Sequence, residues 1–221
     1  MLTLIISHKY KFIFFAVPRT ATHSVRQALG PCLTPDDWQQ ELLRKKQTIP
    51  IARIAQQGHG HISVRQLKQN VSKDIWSTYF KFAFVRNPYE RFVSVCSFLN
   101  KNNVNYAAHA QKFMKNALLI ERFKRRILVR PQTEMLVDED GVMAMDFIGR
   151  YETLQGSWDH ICNTIGIKPQ MLQRQNQSSK TSTSTPYSNY YDHKLETLVR
   201  DFYQADFAML KYQTSLFMQD Q

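Results

Sequence analysis

The stretch Phe12-Ile-Phe-Phe-Ala-Val-Pro-Arg-Thr-Ala-Thr-His-Ser24 contains the pattern from which we derive the fold. It begins with a continuous apolar run, Phe12 to Val17, and a proline ends that run. Aromatic and β-branched runs without alternation are typical of strands covered on both faces, as in parallel sheets. A helical pattern follows from His23 to Leu29, and Gly30-Pro31 terminates it. The stretch therefore predicts a buried strand, a turn and a helix.

The same order of elements recurs twice along the chain. A second apolar run, Tyr79-Phe-Lys-Phe-Ala-Phe-Val85, ends at Arg86-Asn87-Pro88 and leads into a helix with Asn87 as its N-cap. A weaker third run, Ala144 to Ile148, precedes a helix predicted from Thr153 to Ile165. Three strand–turn–helix units predict an α/β fold with a central, mainly parallel sheet flanked by helices.

Length, composition and charge limit the class of protein. A chain of 221 residues predicts one compact domain, residues 1–221, and 43% hydrophobic residues can supply its core. This composition excludes collagen, a mucin-like stalk and wholesale disorder. The 29 Lys and Arg residues exceed the 18 Asp and Glu residues, so the formal net charge is +11. Such an excess favours an anionic partner, which could be a nucleic acid, a membrane surface or a phosphorylated ligand.

The three cysteines, Cys32, Cys96 and Cys162, form no C-x-x-C pair. Their odd number and wide spacing predict buried neutral thiols in a reducing compartment, not a disulfide framework or a cysteine-based zinc site. No stretch approaches the roughly 20 apolar residues of a membrane span. The apolar start, Met1 to Ile6, is too short for a signal-peptide core.

The turn Pro18-Arg-Thr-Ala-Thr-His-Ser24 has the composition of an anion-binding loop. A helix N-terminus at the end of a parallel strand presents backbone N–H groups and the positive end of the helix dipole. Hydroxyl side chains add donors, and the guanidinium of Arg19 can bind a phosphate through two hydrogen bonds. The turn has no glycine and lacks the G-x-x-x-x-G-K-[ST] pattern, which argues against an ATPase or GTPase. A merely well-capped helix is the alternative.

The turn after the second strand also carries groups that bind anions. Arg86 ends the apolar run, and Asn87, Arg91 and Ser94 recur at i, i+4 and i+7 on one helical face. Two adjacent strand ends that each carry an arginine and hydroxyls could hold two separated anionic groups of one ligand. A nucleotide phosphorylated at two positions would fit this arrangement.

These turns resemble two motifs of one enzyme family. Val17-Pro-Arg-Thr-Ala-Thr-His-Ser24 resembles the loop that binds the 5′-phosphosulfate in sulfotransferases, where the usual sequence is Pro-Lys-Thr-Gly-[Ser/Thr]-Thr. Phe82-Ala-Phe-Val-Arg-Asn-Pro-Tyr-Glu-Arg-Phe-Val-Ser94 is similar to their 3′-phosphate-binding element. Further segments resemble the carbohydrate branch of the superfamily, which includes Golgi-type and bacterial enzymes: Arg130–Met135, Asp146–Glu152, Pro186–Tyr191 and Tyr203–Phe207. The resemblance extends from Phe12 to Tyr212.

The resemblance implies a P-loop-like fold and transfer of a sulfuryl group from 3′-phosphoadenosine 5′-phosphosulfate to an acceptor hydroxyl of a carbohydrate or glycoconjugate. The residues at the 5′-phosphosulfate position are Arg19, Thr20, Ala21, Thr22, His23 and Ser24. Arg86 and Ser94 take the positions that hold the 3′-phosphate, and the tract around Lys180 lies where relatives close over the donor. The chain departs from the family at Arg19, which replaces a lysine and cannot give up a proton. It also carries His23 where the family has a small residue.

Sulfuryl transfer requires a base that accepts the proton of the acceptor hydroxyl. In the carbohydrate branch a histidine just before a helix has this role, and His61 matches that position in Gln57-Gly-His-Gly-His-Ile-Ser63. The alternatives are His59, His23, a carboxylate or no base in this part of the chain. His59 and His61 could also suggest a metal pair, but no third ligand is evident, so we predict no metal site.

Two other classes of protein remain as alternatives. The first is a kinase or another P-loop-like nucleotide-binding protein, and the missing Gly-Lys-Ser/Thr pattern argues against it. The second is a basic nucleic-acid-binding module, which requires aromatic residues among the charges, whereas the aromatics here lie within apolar runs. The basic cluster from Arg122 to Arg130 is either a solvated face or a surface for an acidic acceptor. The absence of an anchor predicts a bacterial cytoplasmic enzyme, and the position of the aromatic residues predicts no nucleic-acid partner.

Overall fold

The computed structural model of the protein describes residues 4–41, 46–172 and 186–217. The hydroxyl-rich tract around Lys180 lies outside the described residues. The chain divides into two compact units: a first unit of residues 1–85 and 134–176, and a second unit of residues 86–133 and 177–221. We describe each unit by itself. That residues 1–221 form one domain stays a prediction.

The first unit contains a sheet with the strand order β4-β3-β1-β2-β5-β6. The strands are β1 Ile5–Ser7, β2 Phe12–Phe15, β3 Trp38–Glu41, β4 Lys46–Gln47, β5 Phe80–Val85 and β6 Phe147–Arg150. β2, β5 and β6 pair in parallel, with Phe15 opposite Ala83 and Phe84 opposite Gly149. The pairs β1–β2, β1–β3 and β3–β4 are antiparallel. The α/β class and the three strands from the apolar runs are confirmed, whereas the antiparallel edge was not predicted.

Helices follow the strands largely where the sequence predicts them. Their bounds are α1 Thr22–Leu29, α2 Ala52–Ala55, α3 Val64–Lys68, α4 Lys73–Thr78, α5 Pro88–Leu99, α6 Tyr106–Leu118, α7 Glu121–Lys124, α8 Thr133–Leu136, α9 Leu154–Ile165, α10 His193–Phe202 and α11 Gln204–Leu210. Asn87 is the predicted N-cap of α5, because its side chain accepts from the N–H groups of Tyr89 and Glu90. The third strand begins later than the predicted Ala144, since the N–H of Ala144 donates to the carbonyl of Leu136.

The core of the first unit lies between the sheet and the helices α1 and α9. Phe12, Phe14, Phe82 and Phe84 are fully buried and belong to one cluster with Trp158 of α9. The next residues along the strands, such as Ile13 and Ala83, are equally buried on the opposite face. Burial on both faces is the physical reason why these strands read as continuous apolar runs without alternation.

The second unit is helical, and its core forms from one face each of α5, α6, α10 and α11. Phe92, Val95, Val199 and Phe207 are buried in this cluster together with Tyr203. These residues recur at intervals of three or four along their helices, which is the spacing of an amphipathic stripe. The core of the second unit therefore forms from the apolar faces of amphipathic helices.

Replacing Gly149 by alanine is expected to lower the free energy of unfolding by about 1–3 kcal/mol, the usual cost of overpacking. Gly149 lies opposite Phe84 in the sheet, and a Cβ there would come within 2.6 Å of the Phe84 ring. The ring is fully buried, so it cannot move aside without disturbing its neighbours. Chemical denaturation measures the change.

Gly156→Ala is the matched control for this prediction. Gly156 lies in the first turn of α9, is exposed, and a Cβ there meets nothing within 4 Å. Since alanine is the better helix former, this variant should gain up to about 1 kcal/mol. A Gly149→Ala protein as stable as the Gly156→Ala protein would contradict the close approach of Phe84.

Candidate active site

The loop between β2 and α1 has an unusual backbone. Arg19 and Ala21 both have left-handed conformations, with φ of 67° and 65°, and neither is a glycine. Between them, Thr20 is fully buried and its hydroxyl donates to the carbonyl of Val17 at 2.9 Å. Left-handed residues other than glycine are strained and cluster at functional sites. The loop that the sequence predicts to bind an anion is thus a defined, strained turn.

The helix α1 begins directly after this turn. Ala21 is its N-cap, and a methyl group offers no side-chain acceptor to the first N–H groups of the helix. The N–H groups of Thr22, His23 and Ser24 have no acceptor within the helix, as in any first turn. Thr22 and Ser24 are buried, whereas Arg19 and His23 are half-buried. The turn therefore joins the positive end of a helix dipole with a guanidinium and hydroxyls, the groups that bind a phosphate or sulfate.

Replacing Ala21 by glycine is expected to raise the free energy of unfolding by about 1 kcal/mol, since glycine has no Cβ and adopts φ of 65° without strain. Glycine is also the residue that sulfotransferase loops usually carry here. The exposed Ala208 of α11 provides the control, because Ala208→Gly should lower the same quantity by about 1 kcal/mol. A loss of stability in both variants would contradict the left-handed conformation of Ala21.

His61 lies against the end of the strand that carries this loop. Its Nδ1 is 2.7 Å from the carbonyl oxygen of Ala16, and its side chain is buried. A carbonyl oxygen only accepts hydrogen bonds, so Nδ1 carries the hydrogen in this contact. In the neutral ring Nε2 is then the nitrogen that can take up a proton. The structure places the predicted base, His61, next to Ala16, just before the predicted anion-binding loop. Both lie within the first unit.

His61 lies just before helix α3, and the N-terminus of that helix is capped. Ser63 is the N-cap of α3 and forms a capping box with Gln66. The carbonyl of Gly60 accepts from the N–H of Leu4, the residue just before β1. The sequence places a histidine immediately before a helix, and the structure confirms this position.

His59 differs from His61 in its environment. It is half-buried, and burial lowers the pKa of its imidazole. The two ring centroids are 6.3 Å apart. Within the described residues, no three His, Cys, Asp or Glu side chains are grouped as they would be around a metal ion.

The turn after β5 belongs to the second unit from Arg86 onward. The side-chain amide of Gln132 bonds both backbone groups of Arg86: Oε1 accepts from its N–H at 2.9 Å, and Nε2 donates to its carbonyl at 2.8 Å. The guanidinium of Arg86 donates to Glu90 at 2.6 Å. Ser94 lies half-buried in α5. Arg86 is therefore held at its backbone and at its side chain.

Arg91 does not lie at an anion site, contrary to the prediction from its spacing with Asn87 and Ser94. Its side chain is fully buried, and its Nη2 donates to the carbonyls of Leu128 and Arg130, each at 3.1 Å. The charge serves the packing of the second unit. Spacing along a helix identifies a common face, but it does not identify what that face meets.

Sequence reasoning assigned no role to one group of polar residues, although the family-like segments Arg130–Met135 and Tyr203–Phe207 contain them. Asp206 is fully buried and accepts hydrogen bonds from Gln132 and Thr133. The available signal was its position on α11, one residue before Phe207 and three after Tyr203, both of which are buried. A carboxylate on the buried face of a helix requires polar partners inside the core.

Comparison with known proteins places the chain in a family. A model of the sulfotransferase family matches residues 2–213. The chain therefore belongs to the sulfotransferase family, as the resemblance predicts, and it is a transferase. No curated protein and no solved structure matches it. Searched over the described ranges, the helices include none with the length and hydropathy of a membrane span.

Proposed function

We propose that the protein transfers a sulfuryl group from 3′-phosphoadenosine 5′-phosphosulfate to a hydroxyl of a carbohydrate or glycoconjugate. The observation that carries the proposal is the strained loop at the start of α1, which joins a helix N-terminus, Arg19 and buried hydroxyls at the end of β2. Membership of the sulfotransferase family supports the same chemistry. A P-loop-like fold is part of this proposal.

The donor would bind through two groups of residues. In the first unit the 5′-phosphosulfate would meet the residues of the loop and first turn: Arg19, Thr20, Ala21, Thr22, His23 and Ser24. Arg86 and Ser94 of the second unit would hold the 3′-phosphate. The residues present fit such a nucleotide because both groups offer hydrogen-bond donors: guanidinium, hydroxyl or backbone N–H groups. An ionised phosphate accepts hydrogen bonds and donates none.

His61 would act as the general base. As the acceptor oxygen attacks sulfur, the bond from sulfur to the phosphate oxygen breaks, and Nε2 of His61 takes the hydroxyl proton. Arg19 and the N–H groups of the first turn would stabilise the negative charge that develops on the leaving phosphate. Arg19 keeps its own proton throughout, since an arginine is not deprotonated in proteins. Adenosine 3′,5′-bisphosphate is the second product.

The acceptor would be acidic as well as rich in hydroxyls. Arg122, Arg125 and Arg126 are exposed, and none of these three guanidinium groups forms an ion pair with any carboxylate in the described part of the chain. Three adjacent exposed cations favour an anionic surface as partner.

Replacing Arg122, Arg125 and Arg126 together by alanine is expected to shift elution from a heparin column to lower salt, with binding of adenosine 3′,5′-bisphosphate unchanged. Each lost contact with an anionic group reduces the salt dependence of binding. The triple variant Lys73→Ala, Lys101→Ala and Lys168→Ala removes the same number of exposed charges elsewhere and serves as the control. Equal elution of both proteins would show that total charge, not this segment, binds the polyanion.

The cysteines support an intracellular setting within this proposal. Cys32, Cys96 and Cys162 are free thiols, and burial raises the pKa of Cys162 to about 12. Cys96 and Cys162 are buried, and buried neutral thiols are unreactive, whereas Cys32 is only half-buried, contrary to the prediction for all three cysteines. Action in a bacterial cytoplasm stays a prediction.

The donor is tested by a thermal-shift comparison of adenosine 3′,5′-bisphosphate with ADP and with ATP plus magnesium. We expect the bisphosphate to raise the melting temperature, because a ligand at 100 times its Kd stabilises the folded state by about 2.7 kcal/mol. Arg19→Ala should abolish the shift. Stabilisation by ATP and magnesium alone would favour the kinase alternative. Steeply salt-dependent binding to generic DNA, without any response to the bisphosphate, would favour a nucleic-acid-binding module.

A further inference from the structure

We propose that Gln132 and Asp206 are positioning residues that fix Arg86 for the 3′-phosphate and so determine the preference of the enzyme for 3′-phosphorylated nucleotides. The inference rests on the proposed function, in which Arg86 binds that phosphate. Every contact that supports it lies within the second unit.

The side chain of Gln132 pairs with the backbone of Arg86. Arg86 is the first residue after β5 and has left the ladder of the sheet. Gln132 replaces that ladder, because its amide accepts from the N–H of Arg86 and donates to the carbonyl of Arg86. Both backbone groups of one residue are thus held by one side chain. The direction in which the Arg86 side chain leaves the backbone is fixed accordingly.

The carboxylate of Asp206 orients the side chain of Gln132. Oδ2 of Asp206 accepts from the backbone N–H and the Nε2 of Gln132 at 2.9 and 3.2 Å. Oδ1 accepts from the N–H and the hydroxyl of Thr133, both at 2.8 Å. An ionised carboxylate only accepts, so Nε2 must face Asp206 and Oε1 must face the N–H of Arg86. Asp206 therefore selects the one amide orientation that matches both groups of Arg86.

The guanidinium of Arg86 is also held in place. Its Nη2 donates to Glu90, one helical turn further on, and only 13% of the Arg86 side chain is exposed. A side chain that is already ordered loses little conformational freedom when it binds a ligand. Backbone and side chain together make Arg86 a preorganised cation, and the buried network behind it is what keeps it so.

The experiment compares two nucleotides that differ only in the 3′-phosphate. Calorimetry gives the Kd of adenosine 3′,5′-bisphosphate and of adenosine 5′-phosphate for the wild-type protein and for Gln132→Met. Methionine has a similar volume but forms neither hydrogen bond with Arg86. We expect the preference for the bisphosphate to fall about tenfold, the worth of one charge-assisted hydrogen bond. The affinity for adenosine 5′-phosphate should stay unchanged.

A merely structural role is separated by a matched variant. Gln40 of β3 is also fully buried and donates to the carbonyl of Ile54 at 3.0 Å, in the first unit. Gln40→Met should lower thermal stability without changing the ratio of the two Kd values. Thr133→Val removes only one hydrogen bond to Asp206, so it stays folded if Gln132→Met does not, and it should reduce the ratio about two- to threefold.

The outcomes separate this inference from the function on which it rests. An unchanged ratio in folded Gln132→Met, or in Thr133→Val where Gln132→Met does not fold, would overturn the positioning role while the donor site stands. The same loss of ratio in Gln40→Met would overturn it too, because general destabilisation would then explain the effect. A wild-type protein without any preference for the bisphosphate would refute the proposed donor site, and the inference with it.

Discussion

Replacing Arg91 by leucine is expected to lower the free energy of unfolding by about 3 kcal/mol, because the carbonyls of Leu128 and Arg130 lose their donor inside the protein. Leucine also leaves part of the space of a fully buried arginine empty. In a chain of this size the melting temperature should fall by about 6–12 °C. Urea denaturation with linear extrapolation measures the change.

Two further variants define the cause of this loss. Arg91→Lys keeps the charge, but the lysine side chain is smaller than the arginine side chain and leaves part of the buried space empty, so part of the loss should remain. Arg122→Leu removes an exposed arginine and should change stability by less than about 0.5 kcal/mol. If Arg91→Leu were stable but no longer bound adenosine 3′,5′-bisphosphate, Arg91 would belong to the donor site and not to the core.

Replacing His61 by asparagine is expected to reduce turnover by about 10²–10⁴-fold, the usual contribution of a general base. The Nδ2 of asparagine can donate to the carbonyl of Ala16 in place of the imidazole Nδ1, so the local hydrogen bond is retained. No proton acceptor then stands at the position of Nε2. The measurement is the rate at which adenosine 3′,5′-bisphosphate is released with an acceptor that the wild-type enzyme sulfates.

Binding distinguishes the chemical role of His61 from a structural one. His61→Asn should bind adenosine 3′,5′-bisphosphate with wild-type affinity, because the loop residues that meet the donor are unchanged. His59→Asn should turn over within about twofold of the wild-type rate if His61 is the base. Normal turnover in His61→Asn together with a large loss in His59→Asn would move the base to His59.

The fold could be predicted where buried residues form a continuous apolar run or a helical pattern in the sequence. β2 and β5 are apolar at nearly every position because side chains on both faces of these strands are buried. β1 has three residues and β3 carries Trp38, Gln39 and Gln40, so neither has a run long enough to show a period. Their pairing depends on contacts between distant parts of the chain, such as Ile5 with Gln39. Local pattern contains no record of such contacts.

The candidate site likewise contains residues that the sequence predicts and residues that it does not. The turn after β2 was predicted from its place between an apolar run and a helical pattern, and His61 was predicted from the resemblance to the carbohydrate branch. Gln132 and Asp206 were not, since they are separated from their partners by 46 and 74 residues and only the tertiary fold brings them together. Arg91 was misplaced for the related reason that helical spacing gives a face without its surroundings.

The left-handed residues of the loop should influence which substitutions accumulate when the protein is selected for thermal stability. Arg19 and Ala21 each cost the folded state about 1–2 kcal/mol, whether or not a ligand is present. In the proposed function, a loop that is already shaped would not have to be ordered when the donor binds, so affinity would be gained at the expense of thermal stability. Variants selected for survival at high temperature should therefore accumulate changes at these two positions, and the same changes need not improve the enzyme.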